Sequence, residues 1–131
     1  MSRPAAWLAL CCVAACSATP DAPTAIAYDR EACTHCHMLI GDARYAVQLV
    51  TDAGDVLDFD DPGCALRYVT EAHPAIHRLW FRDHRRDAWI AAGDVRFVRG
   101  AATPMGYGLA ADPAGTVRLD EASALVAGGA R

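Results

Sequence analysis

The segment between Asp61 and Pro74 contains the start and stop signals of one helix, and this strongly limits how the chain can fold. Asp61 is a residue type that caps helices, and Pro62 suits the first helical position. Apolar residues then recur at helical spacing from Leu66 to Ala72. Pro74 disfavours helical backbone in the residue before it. The pattern predicts a helix over residues 62–73.

Short segments of alternating polarity lie on both sides of this helix and predict antiparallel strands. Residues 44–50 form the first predicted strand, and residues 56–59 form its hairpin partner across a polar turn at 52–55. Residues 77–81 alternate again after the helix. The predicted order is strand, strand, helix, strand, which indicates an α+β fold.

The second half of the chain gives shorter signals, from which we predict a smaller second unit at about 84–127 after a first unit at about 28–83. Its predicted elements are apolar segments at 89–92 and 95–98, a Pro- and Gly-rich turn at 103–108, a strand at 116–119 and a helix at 120–126.

The composition sets the size of the core and excludes one class of partner. With 131 residues, 53% of them hydrophobic, the chain can bury one ordinary core or two very small ones. Its 12 basic residues are all arginine, its 16 acidic residues give a net charge of -4, and no basic block occurs. Binding to a nucleic-acid backbone is therefore not expected.

The N-terminal residues have the form of a signal peptide. Arg3 is followed by an apolar stretch at 5–15, shorter than the roughly 20 residues that span a membrane. Val13-Ala14-Ala15-Cys16 resembles the lipobox of bacterial lipoproteins. This resemblance implies a signal peptide at 1–15 and a lipid anchor on Cys16, and it places the protein in the bacterial cell envelope, facing the periplasm. The alternative is an ordinary cleaved signal with no lipid on Cys16.

Residues 16–27 contain mainly Ala, Thr, Pro and Asp, so we expect a flexible tether before a folded body at 28–131. Processing would also change the cysteine count from six to three, because Cys16 and the two cysteines before it are removed or modified. Cys33, Cys36 and Cys64 remain. An odd number in an oxidising compartment leaves at least one thiol outside a disulfide.

The sequence Cys33-Thr34-His35-Cys36-His37-Met38 concentrates soft ligands. Thiolate and thioether together favour Cu(I), whereas zinc accepts thiolate and imidazole but rarely thioether. If the backbone after Cys36 is extended, Cys36 and Met38 project to the same face. Cys33 can join them across the intervening turn. His35 and His37 remain open as further ligands.

Met105 is the fourth predicted ligand, after Cys33, Cys36 and Met38. It lies between Pro104 and Gly106, outside any periodic apolar run, where a methionine is a poor choice for packing. Cys64, in the first turn of the predicted helix, is interpreted as a small buried core residue. Asp58, Asp60 and Asp61 lack the spacing of a calcium loop and are interpreted as the end of a strand and a helix cap.

Several separated motifs together point to one known family. They are Cys33-x-x-Cys36-x-Met38, Phe59-Asp60-Asp61 with Gly63-Cys64, the stretch from Asp83 to Trp89-Ile90, and Thr103-Pro104-Met105-Gly106. In these motifs the chain resembles the NosL family of nitrous oxide reductase accessory lipoproteins, which are periplasmic copper-binding proteins. The resemblance implies a chaperone that delivers Cu(I) for the copper centre of nitrous oxide reductase and works with its maturation transporter complex. It also implies two related strand-strand-helix-strand units, the second one abbreviated here.

Two alternatives stay open at this point. Cys33 and Cys36 are spaced like the thiols of a periplasmic thiol-disulfide oxidoreductase, although no helix is signalled at Cys33. The same cysteines with a histidine would also suit a zinc or mercury binding module. We found no motif for a hydrolytic enzyme, so we expect a metal-binding protein that is not an enzyme.

Overall fold

A computed structural model describes residues 18–129 and shows an α+β fold with two antiparallel sheets and two helices. The helix predicted after Asp61 is present as α1 (Pro62–Ala72). The Asp61 carboxylate caps it by accepting a hydrogen bond from Gly63 N at 2.8 Å. The helix ends at His73, whose left-handed backbone closes the last turn before Pro74. The sequence signals therefore predicted both helix boundaries to within one residue.

The larger sheet has the strand order β2-β1-β3-β4, and all of its neighbouring strands are antiparallel. The predicted order strand, strand, helix, strand is confirmed. The first strand begins later than predicted, because residues Ala43–Tyr45 form a 3-10 helix that the Asp42 side chain caps. The four strands are β1 (Val47–Thr51), β2 (Val56–Phe59), β3 (Ile76–Arg82) and β4 (Trp89–Ala91).

The smaller sheet pairs β5 (Phe97–Arg99) with β6 (Leu109–Ala111), and the last helix is α2 (Leu119–Ala127). The strand predicted at 116–119 was wrong: Val117 makes only an isolated bridge with Phe97, and Leu119 already belongs to α2. Strand β6 was not predicted. Strand β4, whose residues the sequence assigns to the second unit, is an edge strand of the larger sheet.

One continuous core joins the two sheets. Phe81 of β3 meets Phe97 of β5 edge to face, with ring centroids 5.2 Å apart. Helix α1 packs on α2 and on β6, and buried residues from both halves of the chain form a single cluster. Each predicted unit thus buries apolar surface against the other.

The segment expected as a tether contacts the sheet where the structure describes it, from residue 18 onward. Thr24 N donates a hydrogen bond to Gln48 Oε1 at 2.7 Å, and Ile26 is buried in the core. The predicted signal peptide at 1–15 and the predicted lipid attachment at Cys16 lie outside the described residues. Between residues 18 and 129, no helix is long and apolar enough to cross a membrane.

Candidate metal centre

Four side chains from two separate segments converge near the end of β2. Cys33, Cys36, Asp60 and Cys64 each place one sulfur or oxygen atom so that all four atoms lie within 4.8 Å of one another. Sulfur atoms bound to one metal at about 2.3 Å lie roughly 4 Å apart, so small side-chain movements would let these groups share an ion. All three cysteines are free. The cluster could therefore bind a metal ion.

A tight turn presents the first two cysteines. Cys33 N donates to Met38 O at 2.8 Å, and His37 N donates back to Cys33 O at 3.0 Å. The turn closes because His37 adopts a left-handed backbone with φ 63°. Thr34 N donates to Asp58 O at 2.8 Å, which attaches the turn to β2. The Cys33 thiol is completely buried, while Cys36 keeps part of its surface in solvent.

The connection between β2 and α1 provides Asp60 and Cys64. Asp60 follows the last residue of β2, and Cys64 lies in the first turn of α1, a position set by the Asp61 cap. Both side chains are buried. The Cys36 thiol donates a hydrogen bond to Asp60 Oδ1, with a distance of 3.3 Å between sulfur and oxygen. Two residues that the sequence analysis assigned to packing and capping thus belong to the cluster.

The three thiols of the cluster differ in pKa. A hydrogen bond from the Cys64 thiol, aided by backbone N–H groups of Cys36 and Asp60, lowers the pKa of Cys33 to about 6 against the opposing effect of burial. Burial, and then the neighbouring Cys33 sulfur, raise the pKa of Cys36 to about 11. The pKa of Cys64 is raised strongly, first because its proton is held by Cys33 and second by burial. Of the three thiols, Cys33 is therefore the one that loses its proton first.

The proximity of Cys64 to the helix N-terminus does not govern its pKa. The positive end of a helix dipole lowers the pKa of an accessible thiol. Here Cys64 has no exposed surface and donates its proton to Cys33. The thiolate therefore forms on Cys33, which also receives the backbone hydrogen bonds of Cys36 and Asp60.

Both predicted methionine ligands have exposed side chains. Met38 has 59% of its surface exposed, and Met105 has 37%. The extended backbone assumed for Cys36 to Met38 is absent, because the left-handed residue His37 intervenes. The Met38 carbonyl nevertheless accepts the Cys33 N–H, so its backbone borders the site directly.

The turn that carries Met105 is attached to the start of α1. Met105 N donates to Asp61 Oδ2 at 2.9 Å, next to Asp60 of the cluster. The ring of Tyr107 packs against Gly63 so closely that a Cβ at residue 63 would lie 2.0 Å from its Cγ. Residues far apart in sequence are thereby brought to the same edge of the site.

The two histidines of the sequence motif do not belong to the four-residue cluster. His35 Nδ1 lies 3.8 Å from Glu71 Oε2, on the side of α1. His37 is exposed at the surface.

Comparison with known proteins gives no match: no family model, no curated protein and no solved structure is significantly similar to this chain. The case for metal binding consequently depends on the local geometry of Cys33, Cys36, Asp60 and Cys64.

Proposed function

We propose that this protein is a lipid-anchored periplasmic Cu(I)-binding protein that acts as a copper chaperone for the assembly of nitrous oxide reductase. The observation that carries the proposal is the group of three free thiols, in which hydrogen bonds lower the pKa of Cys33 to about 6. Two exposed methionines are attached nearby through their backbones, Met38 to Cys33 and Met105 to Asp61. Thiolate and thioether are the ligands that select Cu(I) among the available metals.

The unequal burial of the ligands supports delivery of the ion. Cys33 and Cys64 are fully buried and would hold the ion from the protein side. Cys36 is partly exposed, and Met38 and Met105 extend into solvent. A ligand from a partner protein can therefore approach the ion from the side of Cys36. A cargo ion needs such an open position, whereas a structural ion is enclosed.

The resemblance to the NosL family supports the choice of client and of compartment. That family usually has Gly at the position of His37, and the φ of 63° found here is a conformation that glycine adopts readily. The lipobox-like sequence before Cys16 is the basis for the lipid anchor. The client would be nitrous oxide reductase, reached together with its maturation transporter complex.

Zinc binding is a second candidate function, favoured by Asp60. A carboxylate is a good fourth ligand for Zn(II), and three cysteines with one aspartate complete a tetrahedral site. Cu(I) prefers soft sulfur ligands to the hard oxygen of a carboxylate. The two metals should consequently depend on different residues.

The test compares two sets of variants by anaerobic competition titrations with Cu(I) and Zn(II) chelators. We expect the double variant Met38→Leu/Met105→Leu to weaken Cu(I) binding about 10- to 100-fold and to leave zinc unchanged. Asp60→Asn should weaken zinc and spare Cu(I). Leu39→Val is the matched control, because Leu39 is 57% exposed beside Met38 and has no ligand atom.

Two results would contradict the chaperone proposal: preferential zinc loading when both metals compete, or unchanged Cu(I) affinity in the double methionine variant. Insulin-reducing activity without metal uptake would favour an oxidoreductase instead. The client is tested separately by measuring the copper content of nitrous oxide reductase from a strain that lacks this protein. Normal copper content there would exclude this client, while Cu(I) binding would stand.

A further inference from the structure

We propose that residues 18–27 fasten the folded body so that its metal centre points away from the membrane surface. The inference rests on the lipid attachment at Cys16 in the proposed function. It says at which end of the folded body the lipid-bearing chain begins. The end of the larger sheet that is farthest from the metal centre would face the lipid bilayer.

The segment runs along the larger sheet from one end to the other. Thr19 begins beside Gly54, in the turn between β1 and β2; its Oγ1 would lie 3.5 Å from a Cβ at residue 54. Asp21 Oδ1 lies 2.8 Å from His77 Nε2 and 2.8 Å from Arg78 Nη2, near the start of β3. Thr24 pairs with Gln48, the second residue of β1.

The far end of the segment reaches the part of the fold that carries the metal ligands. Ile26 joins the buried core, and Asp29 N donates to Ile40 O at 2.9 Å. Ile40 in turn follows the cysteine-containing turn of residues 33–38. Ala18 and Thr19 are therefore at the end of the sheet that lies opposite the metal centre.

Gln48 provides the strongest attachment of the segment. Its side-chain Oε1 accepts from Thr24 N at 2.7 Å, and its Nε2 donates to Thr24 O at 3.3 Å and to Asp58 Oδ1 at 2.8 Å. Gln48 has no exposed surface, and release of the segment would break both of its hydrogen bonds to Thr24 while keeping the one to Asp58. The ion pairs of Asp21 are solvent-exposed and contribute little. The buried amide, with Ile26, keeps the segment in place.

The remaining chain is too short to reverse this direction. From Gly54 in the turn to Asp60 at the metal centre the chain is mostly extended and spans roughly 15–20 Å. Ala18 follows Cys16 by two positions, and this stretch of chain can extend by at most about 7 Å. A lipid on Cys16 would therefore lie within this reach of Ala18 and of the β1–β2 turn, and the metal centre would face the aqueous side.

The charges at the turn end show that the lipid itself must make the attachment. Asp21, Asp52 and Asp55 lie there together with His77 and Arg78. This mixed group lacks the cluster of basic residues that attracts anionic headgroups. Orientation thus depends on the fastened segment. A copper acceptor would approach from the periplasm.

The test uses the full lipidated protein in nanodiscs of phosphatidylcholine that contain a lipid with a gadolinium-chelate headgroup. Paramagnetic relaxation enhancement of the backbone amides is measured by NMR. It falls with the sixth power of distance, so two ends roughly 15–20 Å apart should differ more than about tenfold. We expect strong enhancement at Gly54 and Ala75, and weak enhancement at Thr34 and Gly106.

Thr24→Pro removes the N–H that Gln48 binds and should make the enhancement nearly uniform. Ala22→Pro is the matched control in the same segment, because among the described residues the N–H of Ala22 has no hydrogen-bond partner. Uniform enhancement in the unmodified protein, or stronger enhancement at Thr34 than at Gly54, would overturn the orientation alone.

Mass spectrometry of Cys16 separates this failure from failure of the anchor. If Cys16 carries no lipid, both the anchor and the orientation are refuted, and Cu(I) binding is judged by its own titration. If Cys16 carries lipid and the enhancement pattern fails, the anchor stands and only the orientation is lost.

Discussion

Binding of one metal ion to the reduced protein at pH 7.5 should release about two protons. Cys33, with a pKa of about 6, is then largely ionised and has little to release. Cys36, with a pKa of about 11, and Cys64, whose pKa is raised further, are still protonated. Each must lose its proton to coordinate the ion. At pH 5, below the pKa of Cys33, the number should rise to about three.

Cys64→Ser tests whether the residue in α1 is a ligand. The serine hydroxyl can still donate a hydrogen bond to the Cys33 thiolate, so the pKa of Cys33 should stay low. It cannot supply a thiolate, and proton release at pH 7.5 should therefore fall to about one, with weaker Cu(I) binding. Ala65→Ser is the control, because it adds a hydroxyl to the neighbouring buried position of the same helix and keeps all three thiols.

Proton release can be counted directly in anaerobic titrations of unbuffered protein at constant pH, with Cu(I) added as its acetonitrile complex. The reasoning would be refuted if Cys64→Ser released as many protons as the unmodified protein and bound Cu(I) equally well. Cys64 would then be a buried hydrogen-bond donor to Cys33 and not a ligand. Release of three protons at pH 7.5 would instead show that Cys33 is not ionised in the metal-free protein.

Three further predictions concern the scaffold of the site and are checked by urea unfolding of the reduced, metal-free protein. His37→Gly should raise the free energy of unfolding by about 0.5–1 kcal/mol, because glycine adopts the left-handed backbone of this position without strain. His73→Gly at the end of α1 should have a similar effect for the same reason. An unchanged free energy of unfolding in either variant would contradict this explanation. Gly63→Ala should destabilise by about 1–3 kcal/mol, because its Cβ would overlap the Tyr107 ring, and neutral behaviour would show that the Met105 turn is not fastened there. Asp61→Ala should cost about 1–2 kcal/mol through loss of the helix cap and of the bond to Met105 N, whereas Asp61→Asn should lose less; equal losses would exclude the cap as the cause.

Local signals were sufficient for α1 and for its neighbouring strands. Asp61, Pro62 and Pro74 act within one turn of the helix ends, so their effect does not depend on the rest of the fold. Strand β2 was predicted at its observed bounds, Val56–Phe59, because its turn and its alternation are also local. These elements carry Asp60 and Cys64, although the sequence did not indicate what those two residues face.

The second sheet could not be predicted in the same way. Strand β6 consists of Leu109, Ala110 and Ala111, which show no alternation and little β-branched character. It forms because it pairs with β5 and is covered by α1. The predicted strand at 116–119 has better strand residues, but α2 begins at Leu119 and leaves Val117 only one bridge. Tertiary packing decided between these two segments.

The residues of the metal centre could likewise be predicted only in part from the sequence. The sequence alone determined that Cys33 and Cys36 lie on one turn and that soft ligands are concentrated around them, because these residues are neighbours in the chain. Only the tertiary structure decided that Asp60 and Cys64 join them and that Met105 is attached to Asp61, next to this cluster. The physical reason is that the hydrogen bond from Thr34 to Asp58, and that from Met105 to Asp61, connect distant segments. Spacing along a chain does not reveal such contacts.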